Sequence, residues 1–437
     1  VLYHIRGLEK YQSEKMIRKN RVAIIGIDGV PFSIMDNLSD NGVMENFASL
    51  KNKGTFTSMR SSIPEISNVS WSSIITGKNP GEHGVYGFTE LIPGTYSMMF
   101  PDFRALKSPT FWQDNNKKKY VVINVPSTYP AGEINGALIS GFVSPDLYKA
   151  VYPRSLLQEL QKLEYRIDVD SEKAHKSYRL FLDELFRVLE IRRKTYGYFW
   201  DKYRWDLFFF VITGSDRLEH FLWNAYEDES NEYHERFLDY FKKIDEIIGE
   251  IAGRVSEDDQ LILLSDHGME GISENININT YLCKTGFLQA GNDPQMGYRN
   301  IKKGSKAFAL DPGRIYLNRE GKYPNGTVTE REEEEIIEEL ISSLGDLKKD
   351  GRHVFKKIYR KGEVYQGKCL ENAPDLVLMS NPGFNLKGGM GKLKIFDRDI
   401  IKGKHTYEDA FLYVGNDEFV PENVCVEDVR KIIEYSW

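Results

Sequence analysis

The sequence predicts an α/β fold: a mostly parallel central sheet with helices on both faces. Three observations carry this. Four short runs, 22–27, 120–125, 207–212 and 261–264, are rich in Val, Ile, Leu or Phe, as suits strands buried on both faces of a helix-covered sheet. The runs end in turn or small polar residues: GIDG, NVPS, ITGSD and LSDHG. Long amphipathic stretches separate them, as in alternating strand and helix units.

The elements follow in chain order. Residues 1–20 are amphipathic and lysine-rich, with no apolar core or small-residue cleavage site, so they do not read as a secretory signal. The first strand, 22–27, ends at Asp28. A helix is expected over 69–76, stopped by Gly77 and Pro80. Residues 88–118 read as an insertion before the 120–125 strand. A second insertion, 145–205, contains a charged amphipathic stretch over 171–204 that leads into the 207–212 strand. The 232–252 stretch has the same helical character, and the 261–264 strand follows.

Residues 286–328 are rich in Gly, Asn and Lys with weak periodicity and read as a third insertion. A helix is expected over 329–344, with Ile336, Ile337, Leu340, Ile341 and Leu344 on one stripe and its four consecutive Glu on a solvated face. Segment 382–394, PGFNLKGGMGKLK, reads as a mobile loop because it lacks the spacing of a phosphate-binding P-loop. HERFL at 234–238 lacks the second His of a zinc-protease helix.

Composition narrows the function. The 437 residues would suggest about three domains at roughly 150 residues each, but one catalytic domain over 1–437 with cap insertions accounts for the pattern better. A net charge of −7, from 58 basic and 65 acidic residues, argues against a generally basic nucleic-acid-binding surface. The 3 Cys, at 283, 369 and 425, are far apart and form no disulfide framework or CxxC site. No apolar run approaches the roughly 18–20 residues of a membrane span. These features together give a cytoplasmic reading.

In open α/β sheets, ligands bind outside the carboxyl ends of the strands. That places Asp28, Asp216, Asp266 and His267 near one rim. His220 lies four residues after Asp216, and His405 sits in GKHT. Each alone reads as an ordinary capped or hydrogen-bonded group. Together, three carboxylates would raise one another's pKa values unless a cation offset the repulsion. Oxygen and imidazole donors without thiolate suit Zn, Mn or Fe, and six ligands suffice for two ions. Such a pair can clamp the attacking and leaving oxygens of a phosphoryl group and activate a serine hydroxyl as nucleophile.

Six segments carry a resemblance: VAIIGIDGVP, IPEISNVSWSSIITGKNPGEHGVYGF, VINVPSTYPAGEINGALISGF, WDLFFFVITGSDRLEHFLW, ILLSDHGM, and APDLVLM followed by GKH. In this order they resemble the alkaline phosphatase superfamily, and within it the type I phosphodiesterase/nucleotide pyrophosphatase branch and its predicted phosphohydrolase/phosphomutase group. The resemblance spans residue 22 to about 415. It implies an alkaline-phosphatase-like three-layer sandwich and phosphoester hydrolysis with two divalent ions, Zn first and Mn or Fe as alternatives. It also implies Asp28, Asp266 and His267 as ligands of one ion, Asp216, His220 and His405 as ligands of the other, and Ser67 as both a metal ligand and the nucleophile, where this branch more often has Thr.

The branch typically places Asn three residues after the nucleophile. Here that position is Ser70, while Asn68 directly follows Ser67. Asn68, Ser70 and Arg217 are therefore the candidate substrate contacts. The sulfatase cysteine segment is absent, and the serine segment differs from that of cofactor-independent phosphoglycerate mutases. The expected partner is a small phosphoester. A phosphomonoesterase, phosphomutase or phosphotransferase using the same site is the alternative, and a non-catalytic binding protein that keeps the fold is a rival of another class. His83 reads as structural within its loop. His4, His175, His234 and His353 fall outside the motifs.

Overall fold

Eight strands form the central sheet: β1 Val22–Ile27, β2 Gly54–Met59, β3 Tyr120–Val125, β4 Gly136–Ser140, β5 Val151–Tyr152, β6 Leu207–Ile212, β7 Gln260–Leu264 and β8 Ala410–Gly415. Their order across the sheet is β2-β8-β7-β1-β6-β3-β4-β5. The computed structural model describes residues 21–291, 293–415 and 420–436; the lysine-rich segment 1–20, with His4, lies outside them. The five strands β7, β1, β6, β3 and β4 pair in parallel, and only β2, β8 and β5 join antiparallel. This is the mostly parallel sheet that the apolar runs predict.

Alternate side chains of each strand enter opposite cores. Ala23, Ile25 and Ile27 of β1 and Phe208, Phe210 and Ile212 of β6 face one cluster. Val22, Ile24, Leu207, Phe209 and Val211 face the other. The first cluster is covered by the long helices α2 Tyr178–Lys202, α3 Gly214–Glu227 and α4 His234–Ala252, together with the shorter Phe32–Asp40 and Glu45–Lys51. The second is covered by α1 Ser67–Thr76 and the helix Val429–Tyr435. Helices on both faces make the three layers of an alkaline-phosphatase-like sandwich.

Several elements depart from the sequence reading. The 171–204 stretch is two helices: Glu172–Lys176 ends at Ser177, whose extended backbone (φ −169°, ψ 125°) breaks the run before α2. The 145–205 segment is also more than a cap, because β5 extends the main sheet and Phe181, Leu182, Leu185 and Leu189 of α2 sit in the main core. The 329–344 helix begins later, at Glu333–Gly345, after a turn in which Glu332 accepts from the Thr329 N–H and hydroxyl. The 382–394 tract contains a strand, Phe384–Lys387, paired parallel with Glu274–Asn277. It is fixed further by Gly388, whose carbonyl accepts from Tyr298 Oη at 2.7 Å.

Segment 286–328 contributes to a second, four-stranded antiparallel sheet. Ala307–Leu310 pairs with Arg314–Leu317, and then come Leu376–Ser380 and Phe355–Arg360. This sheet has a hydrophobic cluster of its own, including Phe308, Ile315, Leu340 and Leu378. A two-stranded ribbon, Gly268–Gly271 against Gly403–Thr406, rises beside β7. It sets His405 opposite Met269, at the rim where the parallel strands end.

Among the described residues no helix is long and apolar enough to cross a membrane.

Candidate active site

The end of β1 and the turn after it are shaped by two glycines, Gly26 and Gly29. A Cβ at Gly26 would lie 2.5 Å from Trp71 Cη2, so only glycine leaves room for the indole. That indole donates Nε1–H to Asp28 Oδ2 at 3.1 Å. Gly29 takes the left-handed conformation (φ 79°), and its N–H donates to Asp266 Oδ1 at 3.1 Å. The GIDG turn therefore orients two carboxylates through one indole and one backbone amide.

The other residues arrive from neighbouring strand ends. Asp216 lies in the first turn of α3, directly after β6, and His220 follows one turn later on the same face. Ser215 Oγ donates to the Asp28 carbonyl at 2.7 Å and ties this turn to β1. Asp266 and His267 follow β7, and His405 comes from the ribbon.

Two groups of side chains that could hold a metal ion result, the donor atoms of each within 4.8 Å of one another: Asp28, Asp266 and His267, and Asp216, His220 and His405. In the first, His267 Nε2 lies 3.2 Å from Asp266 Oδ2 and 3.9 Å from Asp28 Oδ1. In the second, His405 Nε2 lies 3.1 Å from Asp216 Oδ1 and 3.0 Å from His220 Nε2. Ser67 opens α1, with Oγ 3.0 Å from His267 Nε2 and 3.5 Å from Asp28 Oδ1.

Each imidazole is held in one tautomer. The Nδ1–H groups of His220, His405 and His267 donate to the carbonyls of Gly403 at 2.8 Å, Glu65 at 2.9 Å and Gly268 at 3.0 Å. Every Nε2 thus faces inward, the arrangement of metal-bound histidines, and presents a lone pair there whenever it carries no proton. Two such lone pairs 3.0 Å apart, at His220 and His405, repel unless a cation or proton sits between them. Asp266 Oδ2 is buried with no hydrogen-bond donor among the described residues. A buried carboxylate oxygen left so carries a large desolvation cost. Oxygen and nitrogen donors in this arrangement fit divalent Zn, Mn or Fe.

The electrostatics agree. Burial, then Asp266 and Asp216, hold the Asp28 carboxyl well above the usual range. Burial and then Asp216 push Asp266 up to about 7. Burial alone would raise Asp216 too, but His220, His405 and Arg217 hold it well below the ordinary carboxylate range. Burial lowers His220 to about 4 and puts His267 well below its usual value. Burial opposes the charge on His405 as well, but its bond to Asp216 Oδ1 raises it.

The three candidate substrate contacts lie in different surroundings. The Asn68 side chain donates to the Gly87 carbonyl at 2.8 Å, and its Oδ1 accepts from Ser127. Ser70 is fully buried, with its hydroxyl 2.9 Å from Ser61 Oγ and 2.8 Å from Ser62 Oγ. Ser61 in turn donates to the Asp266 carbonyl at 2.7 Å, so this cluster supports Asp266 from behind. Arg217 Nη1 donates to Asp216 Oδ2 at 2.6 Å, and its Nε and Nη2 donate to Asp168. His83 lies 3.1 Å from Ser73 Oγ, and its Nδ1 accepts from the Val85 N–H, which locks the loop onto α1. The Nδ1–H groups of His234 and His353 donate to backbone carbonyls away from the site.

Sequence reasoning did not find Trp71 and Asp168 as partners of the site. The glycine pattern of GIDG hints at a close neighbour such as Trp71, but nothing in the sequence pairs Asp168 with Arg217.

Fold and site define a metal-dependent phosphoester hydrolase of the alkaline phosphatase superfamily. Residues 22–408 match the family model of type I phosphodiesterase/nucleotide pyrophosphatase, and the chain belongs to that family. Among solved structures it is similar to phosphonoacetate hydrolase from Sinorhizobium meliloti 1021 in complex with phosphonoacetate, with 15% identity, TM-score 0.69 and 96% of each chain covered. It is also similar to murine ectonucleotide pyrophosphatase/phosphodiesterase 5, with 13% identity, TM-score 0.54 and 94% of each chain covered. At these identities the likeness is one of fold. No curated protein matches the sequence.

Proposed function

We propose that the protein hydrolyses small phosphodiesters in two steps through an ester of Ser67. Asp28, Asp266 and His267 would hold one divalent ion and Asp216, His220 and His405 a second, with Zn first and Mn or Fe as alternatives. The observation that carries the reading is the position of Ser67 Oγ, 3.0 Å from His267 Nε2 and 3.5 Å from Asp28 Oδ1, atoms of the first ligand group. When bound, the two ions would supply charge that lowers the hydroxyl pKa and offsets the charge of the departing oxygen.

The protein's own residues do the remaining work. Ser67 Oγ forms a bond to phosphorus in line as the bond to the leaving oxygen breaks, and that oxygen gains a proton. Water then attacks phosphorus, the Ser67 Oγ–P bond breaks, and the hydroxyl regains its proton. In the first turn of α1 the Val69 and Ser70 N–H groups donate to the Ile66 carbonyl at 2.9 and 3.0 Å, and the N–H groups of Ser67 and Asn68 that precede them support binding of the phosphoryl oxygens. Asn68, fixed between Gly87 and Ser127, would position that turn.

The engagement of Arg217 favours a diester over a monoester. A monoester dianion calls for an additional cation, whereas this guanidinium already serves two carboxylates. One catalytic domain that carries the segments 88–118, 145–205 and 286–328 suits a small substrate, and free Cys283, Cys369 and Cys425 are in keeping with the cytoplasm. The test compares bis(4-nitrophenyl) phosphate with 4-nitrophenyl phosphate, using protein reconstituted with Zn or Mn. A higher kcat/KM on the bis-ester is expected. Equal or preferred hydrolysis of the monoester would overturn the diester assignment.

A further inference from the structure

Arg217 is held on three sides. Its Nη1 donates to Asp216 Oδ2 at 2.6 Å. Its Nε and Nη2 donate to Asp168 Oδ2 at 3.2 and 3.0 Å. Its Cζ lies 4.4 Å from the centroid of the Phe142 ring, within the range of a cation–π contact. The three charged side chains are well shielded: Asp216 is 2% exposed, Asp168 14% and Arg217 17%. In such surroundings charge-assisted bonds are strong and directional, and removing one partner leaves a buried charge unpaired.

The consequence falls on Asp216. Its two oxygens are divided: Oδ1 lies 3.1 Å from His405 Nε2 and 3.4 Å from His220 Nε2, while Oδ2 faces Arg217. Rotating the carboxylate would break the Arg217 bond, so one oxygen is kept toward the two histidines. Asp168 in turn fixes the guanidinium and comes from the inserted segment before α2. Three of the five guanidinium N–H groups are already taken by the buried Asp216 and half-buried Asp168 carboxylates, which hold the plane of Arg217 in place.

We infer that Arg217 and Asp168 are positioning residues that fix the Asp216 carboxylate for the Asp216–His220–His405 site, and do not contact the phosphoryl group. The inference rests on the proposed role of Asp216 as a ligand. The same relay ties the 145–205 segment to one of the two candidate metal sites, and its hydrogen bonds go to Asp216 and Asp168 and not to the Asp28–Asp266–His267 group.

The test is calorimetric titration of the metal-stripped full chain with Mn, without substrate. Wild type should show two sites. Arg217→Met should weaken one site about 10–100-fold, the usual effect of losing a residue that orients a ligand, and leave the other unchanged. Asp168→Asn should act in the same direction with smaller size, and it carries the test if Arg217→Met does not fold. Arg217→Lys should recover only part of the affinity, because an ammonium cannot reproduce the planar fork. In a His220→Ala background, Arg217→Met should have no further effect on the remaining site. Wild-type affinity at both sites in Arg217→Met and Asp168→Asn, with a raised KM, would overturn the inference in favour of a substrate clamp. Absence of any Mn or Zn binding by wild type would instead overturn the two-metal reading beneath it.

Discussion

The imidazole of His405 stacks on that of His267, with ring centroids 3.6 Å apart and planes 23° from parallel. The contact joins the two ligand groups, since His267 belongs to one and His405 to the other. The two groups therefore share a wall, and the ribbon that carries His405 shapes both.

Replacing His405 should accordingly be felt on both sides. His405→Ala removes a ligand from one group and the support of the His267 ring from the other. Elemental analysis should find one tightly bound ion per chain in place of two. The remaining ion should bind more weakly than in His220→Ala, which leaves the stack in place. Equal affinity of the remaining ion in the two variants would contradict the shared wall.

Trp71 acts on the site through Asp28. Trp71→Phe keeps most of the ring packing but removes the N–H that meets Asp28 Oδ2 at 3.1 Å. A buried acceptor left without its donor costs about 1–3 kcal/mol. Chemical denaturation of the metal-free variant should show a loss of that order above pH 7, where Asp28 and its neighbours seek charge. Added Zn or Mn should offset part of it.

Metal binding should depend on pH through Asp266. Its folded pKa is pushed up to about 7, above the ordinary 3.8. The proton on Asp266 therefore stabilises the metal-free fold fully below about 4, and that contribution is lost as pH rises through about 7. Thermal unfolding of metal-stripped protein should show a falling Tm over this window, and Asp266→Asn should flatten the fall. Below pH 7 an incoming cation must displace this proton, so affinity should increase up to about tenfold per pH unit until pH 7 and then level. Calorimetry in buffers of different ionisation enthalpy would register the released proton. A pH-independent isotherm between 5 and 7 would contradict the assignment.

The parallel core was legible because strands buried on both faces are continuous apolar runs. Three of the four predicted runs, β1, β3 and β6, have the observed bounds, and the fourth, β7, gains only Gln260 at its start. Edge strand β2 is half exposed, and its sequence, GTFTSM, carries no such signal. The second sheet was hidden for another reason. Its strands Ala307–Leu310 and Arg314–Leu317 are four residues each, too short for periodicity to distinguish from a loop.

The candidate site was legible in its side chains and silent in its supports. Asp28, Asp216 and Asp266 stand where apolar strands end, and the rule that ligands bind there brings them together. The carbonyls of Glu65, Gly403 and Gly268 that orient the histidines are backbone groups that any residue would supply. Asp168 approaches Arg217 only through the path of the inserted segment.

The central claim is that Ser67 becomes the covalent carrier of the phosphoryl group. The most direct measurement is acid quenching of the metal-reconstituted enzyme during turnover of bis(4-nitrophenyl) phosphate, followed by peptide mass spectrometry. A phosphoryl adduct on Ser67 that retains one nitrophenyl ester is expected. Ser67→Ala should still bind both ions but lose at least about a thousandfold in kcat, as when a metal-activated nucleophile is removed. An adduct on another residue, or near-wild-type turnover by Ser67→Ala, would contradict the claim.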